Sequence, residues 1–494
     1  MTPHHHKRAF RTASTLFGII LFSFALCVKQ SHASPPQATN ISTDSMTRRF
    51  SIGEQCSSFE ATRVYDLPAL VELSLANNPY TRSAWFKALA AKASAGQAKA
   101  PYYPIVKLNA TGGYSQQPYP TQSGPLTVNS VSISPGLELE YLLLDFGRRS
   151  ADVKRTVALL AEADLEFNRR EQSTVYAVQQ SYFAHTAALT QQEAAQANLS
   201  LSQIICDMVK AKVTSGLATQ PELLASQKTL SQAEYDLASA RRNVEVTLGN
   251  LRVATGLEAN APIKIAPPSG VVAVESLPCK VDRLIDTALQ KRPDLAARMA
   301  DVRASRAATE RAKADFMPKL SLQGTYNSYS FGFYAKQAST AGTYFGNYNQ
   351  AGGFAVLSWD LFDGFERVEK VKKRQAEESE ARADAEASRL ETTRDVWTAY
   401  NDSLKSAKKV SYAASLLLSV RENFDATQSA FQNGLATITE LSAAQSTLAE
   451  ARFESAGAES DYLTSLAALS LAMGDNGPNA VKQYHPRGDR TAVP

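Results

Sequence analysis

Residues 216–223 read GLATQPEL, and residues 434–441 read GLATITEL. Six of the eight letters agree across an offset of 218 positions. The phrase is turn-like: Gly216 and Gly434 suit the residue that ends a helix. From Arg148 to Ser215 there is no Gly or Pro, and the same holds from Glu366 to Asn433. Each run predicts one uninterrupted helix of about 100 Å, far longer than globular helices usually are. After the phrase a second helix is expected over 220–255 or 438–473. In the first, Leu223, Leu230, Leu237, Val244 and Leu251 recur every seven residues, with Ser226, Ala233, Ala240 and Thr247 three places later. The second repeats the scheme with Leu441, Leu448, Tyr462 and Leu469 against Ala444, Ala451, Ala458 and Ser465. Small residues at one heptad core position let two helices approach closely. GLAT is therefore read as the tip of a long helical hairpin, and the chain carries two.

The repetition extends well beyond the tips. Asn78-Pro79 matches Arg292-Pro293, Pro104 matches Pro318 and Leu108 matches Leu322, all at an offset of 214. Asp145 matches Asp363, Tyr182 matches Tyr400 and Gly256 matches Gly474 at 218. Two copies of one unit are expected, at 66–256 and 280–474, with a Pro-rich linker over 257–279. Each copy holds a β-hairpin, about 104–145 and 318–363, followed by a helical hairpin, 147–256 and 365–474. In PIVKLNATGGYS (104–115), Val106, Leu108, Ala110 and Tyr114 alternate with Lys107, Asn109, Thr111 and Ser115. VSISPGLELEY (131–141) and KLSLQGTYN (319–327) alternate likewise, as half-wet strands do. GGFAVLSWDL (352–361) is less regular, because Phe354 and Val356 fall on the wet side. A loop of Pro, Ser, Gly and Thr is expected between the first two strands. Tyr326, Tyr329, Phe331, Phe333, Tyr334, Tyr344, Phe345 and Tyr348 gather at the loop end of the second hairpin. Such grouping suits a membrane–water interface.

The chain has 494 residues and a formal charge of only +4, with no basic stripe interleaved with aromatics, which argues against nucleic acid. Lys7, Arg8 and Arg11 precede the apolar run 15–28, so residues 1–33 read as a signal peptide. Residues 34–65 read as an irregular segment and 475–494 as a flexible tail. His4, His5 and His6 belong to the leader's basic region rather than to a metal site. Cys206 reads as a packed free thiol; Cys56 and Cys279 lie in irregular segments, where a disulfide and two free thiols both stay open. No nucleotide, zinc-protease or hydrolase motif occurs, so no enzyme and no cofactor is expected. His185 has no spaced partner and reads as structural.

If the strands enter a membrane, their sheet must close, since lipid cannot satisfy a free edge. Four strands are too few for the smallest barrels. Three copies supply twelve, with Lys107, Asn109, Glu138, Glu140, Ser321 and Gln323 facing a wet lumen. The duplicated order, the NNP and KRP kinks near 77 and 291, LLLDFGRR (142–149), LFDGFER (361–367) and the two GLAT tips together resemble the TolC family of outer-membrane efflux and secretion channels. The resemblance covers about 66–474. It implies an α+β membrane protein in the bacterial outer membrane. A homotrimer would share one twelve-stranded β-barrel amid lipid, continued by a periplasmic α-helical barrel. It also implies a passive conduit, opened when a periplasmic membrane-fusion adaptor and an inner-membrane pump of RND, ABC or MFS class dock.

By the same resemblance Gly216, Leu217, Ala218, Thr219, Gly434, Leu435, Ala436 and Thr437 would face the adaptor. Glu440 stands where the family places the first acid of a tunnel-mouth ring, while the position one turn on is Ala443. Glu222 stands where the family has an acid that latches the closed mouth. Its aromatic hydroxyl and basic partners are replaced here by Phe431 and Ala436. The other reading of Glu222 and Glu440 is that of first-turn acids favouring the helix dipole. The competing function is an exported coiled-coil adaptor or scaffold without a pore.

Overall fold

The computed structural model describes residues 63–122, 124–266, 280–337 and 340–475. The expected signal peptide, Cys56, Cys279 and the tail beyond 475 lie outside the described residues. A short strand β1 (Val64–Tyr65) leads into helices α1 (Leu67–Asn77) and α2 (Pro79–Gln97). Then come strands β2 (Ile105–Thr121) and β3 (Gly124–Leu144), the long helix α3 (Arg148–Thr214) and its return α4 (Gln220–Ala254). Strand β4 (Lys264–Ile265) pairs in parallel with β1. The order then recurs as α5 (Val281–Lys291), α6 (Pro293–Ala314), β5 (Lys319–Gln337), β6 (Thr340–Ser358), α7 (Glu366–Gln432) and α8 (Ile438–Ala472).

Helices α3 and α7 are 67 residues each, about 100 Å of rise. Their stability comes from packing along their length rather than from their ends. Helix α3 lies along α4, α6 and α8, and α7 along α6 and α8. The heptad residues lie at these seams: Leu237, Val244, Leu251, Leu441, Leu448, Tyr462 and Leu469 are buried, together with Ser226, Ala233, Ala240, Ala444, Ala451, Ala458 and Ser465. His185 is buried and shares a hydrogen bond with Thr247 Oγ1 at 3.2 Å, tying α3 to α4. Burial holds its imidazole below the ordinary value. Cys206 is a buried free thiol.

The kinks and the chain-reversal glycines meet in space. Asn78 caps α2 through Tyr80 N at 2.9 Å and donates to Ala254 O at 3.2 Å. Gly256, at φ +82°, lies so close that a Cβ there would stand 2.9 Å from the Asn77 and Asn78 backbone. Gly474, at φ +73°, approaches Arg292 in the same manner, at 3.0 Å. Arg292 in turn bonds Asp294 and Asp395. Burial alone would raise the Asp294 carboxyl, but Arg292, with Arg169, outweighs it and holds the group below its ordinary value.

The four long strands form one antiparallel sheet in the order β2-β3-β5-β6. They run 17, 21, 19 and 19 residues, each longer than its alternating stretch in the sequence. The loop expected after Ser115 is instead mostly strand. Pro118 and Pro120 fall within the last four residues of β2, beside the turn into β3, and pair with Thr127 and Pro125. Pro135 falls where the pairing of β3 with β5 lapses, between Ile133 and Gly136.

Candidate functional site

Register fixes which side chains share a face, because opposed residues of an antiparallel pair point the same way. One face carries Val106, Leu108, Tyr114, Val131, Ile133, Leu137, Leu139, Tyr141, Leu322, Tyr326 and Leu357. It is uncovered: Leu108 is 73 % exposed and Val106 63 %. The other face carries Lys107, Asn109, Thr111, Ser115, Glu138, Glu140, Ser321, Gln323, Thr325 and Asn327. Lys107 and Glu140 form an ion pair there at 3.7 Å. Phe354 and Val356 oppose Gln323 and Ser321, so they do stand on the polar side.

The aromatic group does not behave as one interface cluster. Tyr326, Tyr334 and Phe345 share the apolar face, whereas Tyr329, Phe331, Phe333 and Tyr348 share the polar one. A run of alternating and consecutive aromatics hides this, since each step along a strand changes face.

The sheet is tied to the long helices by two matching joints. Asp145 Oδ2 accepts from Arg149 N at 2.8 Å and Nε at 3.1 Å, while Arg149 Nη1 donates to Leu142 O at 2.8 Å and Pro101 O at 3.2 Å. Asp363 and Arg367 repeat the pair, with Nε to Oδ2 at 2.5 Å. The left-handed pairs Phe146-Gly147 and Gly364-Phe365 turn the chain at these points. The motifs LLLDFGRR and LFDGFER are thus strand-to-helix couplings.

At the far end of the helices the tips show why GLAT recurs. Gly216 at φ +69° and Gly434 at φ +76° close α3 and α7. Leu217 N donates to Lys212 O and Leu435 N to Ala430 O, both at 2.8 Å, the pattern of a Schellman stop. Thr219 and Thr437 then start α4 and α8 in full capping boxes, with Glu222 and Glu440 as the returning acids. Thr219 N donates to Glu222 Oε2 at 2.5 Å, and Thr437 N to Glu440 Oε2 at 2.7 Å. Those backbone hydrogen bonds, then the threonine hydroxyls, hold both carboxyls below the ordinary value. Thr-x-x-Glu is a legible capping signature, and it gives both acids a structural task. Leu217 and Leu435 are 79 % and 83 % exposed.

The two tips are joined. Val209, Phe431, Ile438 and Leu441 are buried in one cluster, with Leu223 and Ala436 at its margin. Lys212 Nζ donates to Phe431 O at 3.1 Å and sits 4.2 Å over the Phe431 ring. Sequence reasoning missed Lys212. Its signal was a basic residue in the last turn of α3 where the matching position of α7 is Ala430.

A β-sheet greasy on one side and wet on the other, braced to paired helices of such length, has the architecture of a protein that sets its strands in a membrane and extends its helices beyond it. The chain belongs to the outer membrane efflux protein family, which it matches over residues 70–257 and 284–475. It is 27% identical over 432 residues to Protein CyaE of Bordetella pertussis, covering 86% of this chain and 88% of that one. It is 25% identical over 342 residues to alkaline protease secretion protein AprF of Pseudomonas aeruginosa, covering 68% and 69%. The structure of the Campylobacter jejuni CmeC outer membrane channel superposes with a TM-score of 0.71 at 16% identity, over 84% of this chain and 88% of that one. The protein is thus an outer-membrane efflux or secretion channel, a conduit and not an enzyme.

Proposed function

We propose that three copies of the chain pool their sheets into one twelve-stranded barrel, each copy contributing two duplicated units. The observation that carries this is the pair of free edges. In the described residues β2 and β6 border the sheet with no partner strand, and an unpaired edge of 17 or 19 residues is untenable in hydrocarbon. Pairing β6 of one copy with β2 of the next closes the ring. The apolar face then meets lipid, and the polar face lines the bore. Exposed apolar residues on the helices support side-by-side assembly below the membrane: Tyr235, Val246 and Val253 on α4, and Leu390, Trp397 and Tyr412 on α7.

The tips are the natural docking points for a periplasmic membrane-fusion adaptor and, through it, an inner-membrane pump of RND, ABC or MFS class. Gly216-Leu217-Ala218-Thr219 and Gly434-Leu435-Ala436-Thr437 present two exposed leucines on rigid caps. Glu222 and Glu440 stay ionised there and favour cations at the mouth. One relative is named for protease secretion and another for pyoverdine export; passage of exported cargo driven by such a pump follows for this chain.

Mass measurement of the detergent-extracted full chain, with conductance in a planar bilayer, tests the reading. A trimer that conducts ions is expected. A stable monomer, or a trimer without conductance, overturns it.

A further inference from the structure

Tyr329, Phe331, Phe333 and Tyr348 form a group of aromatic rings on the polar face, with no place in the channel's lipid contacts. Tyr329 and Tyr348 oppose one another across β5 and β6 and stack with centroids 4.8 Å apart. Phe331 meets Tyr348 edge-on at 6.2 Å and lies 6.0 Å from Phe333. All four stand in the half of the hairpin remote from the helices. The cross-strand partner of Phe331 is Gly346, where a Cβ would come 2.6 Å from the ring, so the ring lies across the glycine. On the neighbouring strands the same face is small and polar. Phe331 and Phe333 oppose Ser132 and Ser130, which in turn oppose Gly113 and Ser115. Ser115 and Ser130 bond each other at 2.7 Å. On the β3 side the rings therefore rise beside a low, hydroxylated surface, on the β6 side Phe333 opposes Tyr344, and Tyr348 is 53 % exposed.

We propose that Tyr329, Phe331, Phe333 and Tyr348 form a lumenal site for flat, lipophilic organic cations in the outer half of the bore, one site per copy. The inference rests on the trimeric conduit proposed above. Charge selects the class of ligand. The residues named at this level bear no formal charge, and ring faces are electronegative, so a planar cation gains from stacking and from cation–π attraction while an anion gains from neither. The formal charges Lys107, Glu138, Glu140 and Lys319 lie on the same face toward the helices, and Lys107 is already paired with Glu140. With serine and glycine between the aromatic patches of successive copies, the rings make three separate platforms rather than a closed plug. Small ions pass them, and aromatic cations dwell.

Ethidium is the probe, applied to the full-length protein conducting KCl in a planar bilayer. Block at micromolar ethidium is expected. Replacing all four residues (Tyr329→Ser, Phe331→Ser, Phe333→Ser, Tyr348→Ser) should raise the half-blocking concentration at least about tenfold without lowering KCl conductance. A four-leucine version, which keeps β-propensity and greasiness but removes the rings, should lose block equally and serves where the serine version does not assemble. Tyr329→Phe with Tyr348→Phe should retain block. A conducting wild type that ethidium does not block overturns the site, and so does block that survives in the leucine version. A wild type that conducts nothing overturns the conduit reading itself, which keeps the two failures distinct.

Discussion

Lys212 Nζ lies 4.2 Å over the ring of Phe431 and donates to its backbone oxygen at 3.1 Å. The contact joins the last turns of α3 and α7, where the negative end of the helix dipole makes a cation welcome. It has no mirror image, because the position matching Lys212 is Ala430. The two otherwise similar tips are fastened by one asymmetric clasp, and Phe431 serves with its ring and carbonyl rather than with a hydroxyl.

Loosening that clasp should favour opening. Lys212→Gln removes a contact worth about 0.5–1 kcal/mol at a partly exposed site, a two- to five-fold change in an equilibrium at about room temperature. Single-channel recording of the isolated protein should show more frequent open events in Lys212→Gln and in Phe431→Ala. Phe431→Tyr keeps the ring and should behave as wild type. Identical open fractions in all four proteins would rule out the clasp as a restraint.

The capping boxes set a pH dependence at the tips. Glu222 and Glu440 are held below the ordinary carboxyl value of 4.5 by hydrogen bonds from Thr219 and Thr437. A depressed folded value means the stabilisation is complete above 4.5. It fades as pH falls through the lower folded value. Hydrogen exchange at the Thr219 and Thr437 amides, corrected for intrinsic rate, should stay level from about pH 7 to about pH 5 and lose protection only below the ordinary value of 4.5. Protection that is flat throughout, or that fails near neutrality, would contradict the assignment.

Glu440 also has a proposed task at the mouth. Glu440→Gln can retain the capping hydrogen bonds while removing the charge. Reversal potentials in a KCl gradient should therefore show cation preference falling by about twofold or more, with the helical content unchanged. An unaltered reversal potential would leave Glu440 with its capping role alone.

Two glycines of similar backbone conformation should respond unequally to substitution. Gly216→Ala meets open space at φ +69°, so it should cost about 1–2 kcal/mol for the left-handed backbone alone. Gly256→Ala carries the same strain at φ +82° and also drives a Cβ to 2.9 Å from the Asn77–Asn78 backbone. It should cost more, about 3 kcal/mol or above. Thermal melts of the two variants, followed by helical signal, decide the point; equal melting temperatures would mean that the Gly256–Asn78 approach is not constraining.

Much of this protein is legible in local chemistry. An unbroken run without Gly or Pro becomes a 67-residue helix because nothing in it stops propagation. Gly216, Thr219 and Glu222 end one helix and begin the next through contacts within a few residues of themselves. Alternation marks Val106 and Leu108 as sharing a face for the same local reason. Strand length was less legible: Pro118 and Pro120 look like loop residues until pairing with β3 carries the strand through them.

What the sequence by itself determined is therefore every feature whose partners lie within about one turn or one hairpin: the long helices, their stops and starts, and the two-sided strands. Tertiary structure alone decided the pairings across long separations. It paired β3 with β5, laid Gly256 against Asn78, and set Lys212 on Phe431. Those outcomes depend on register and helix packing, which arise from the summed fit of whole surfaces, and no short stretch of residues encodes such a sum.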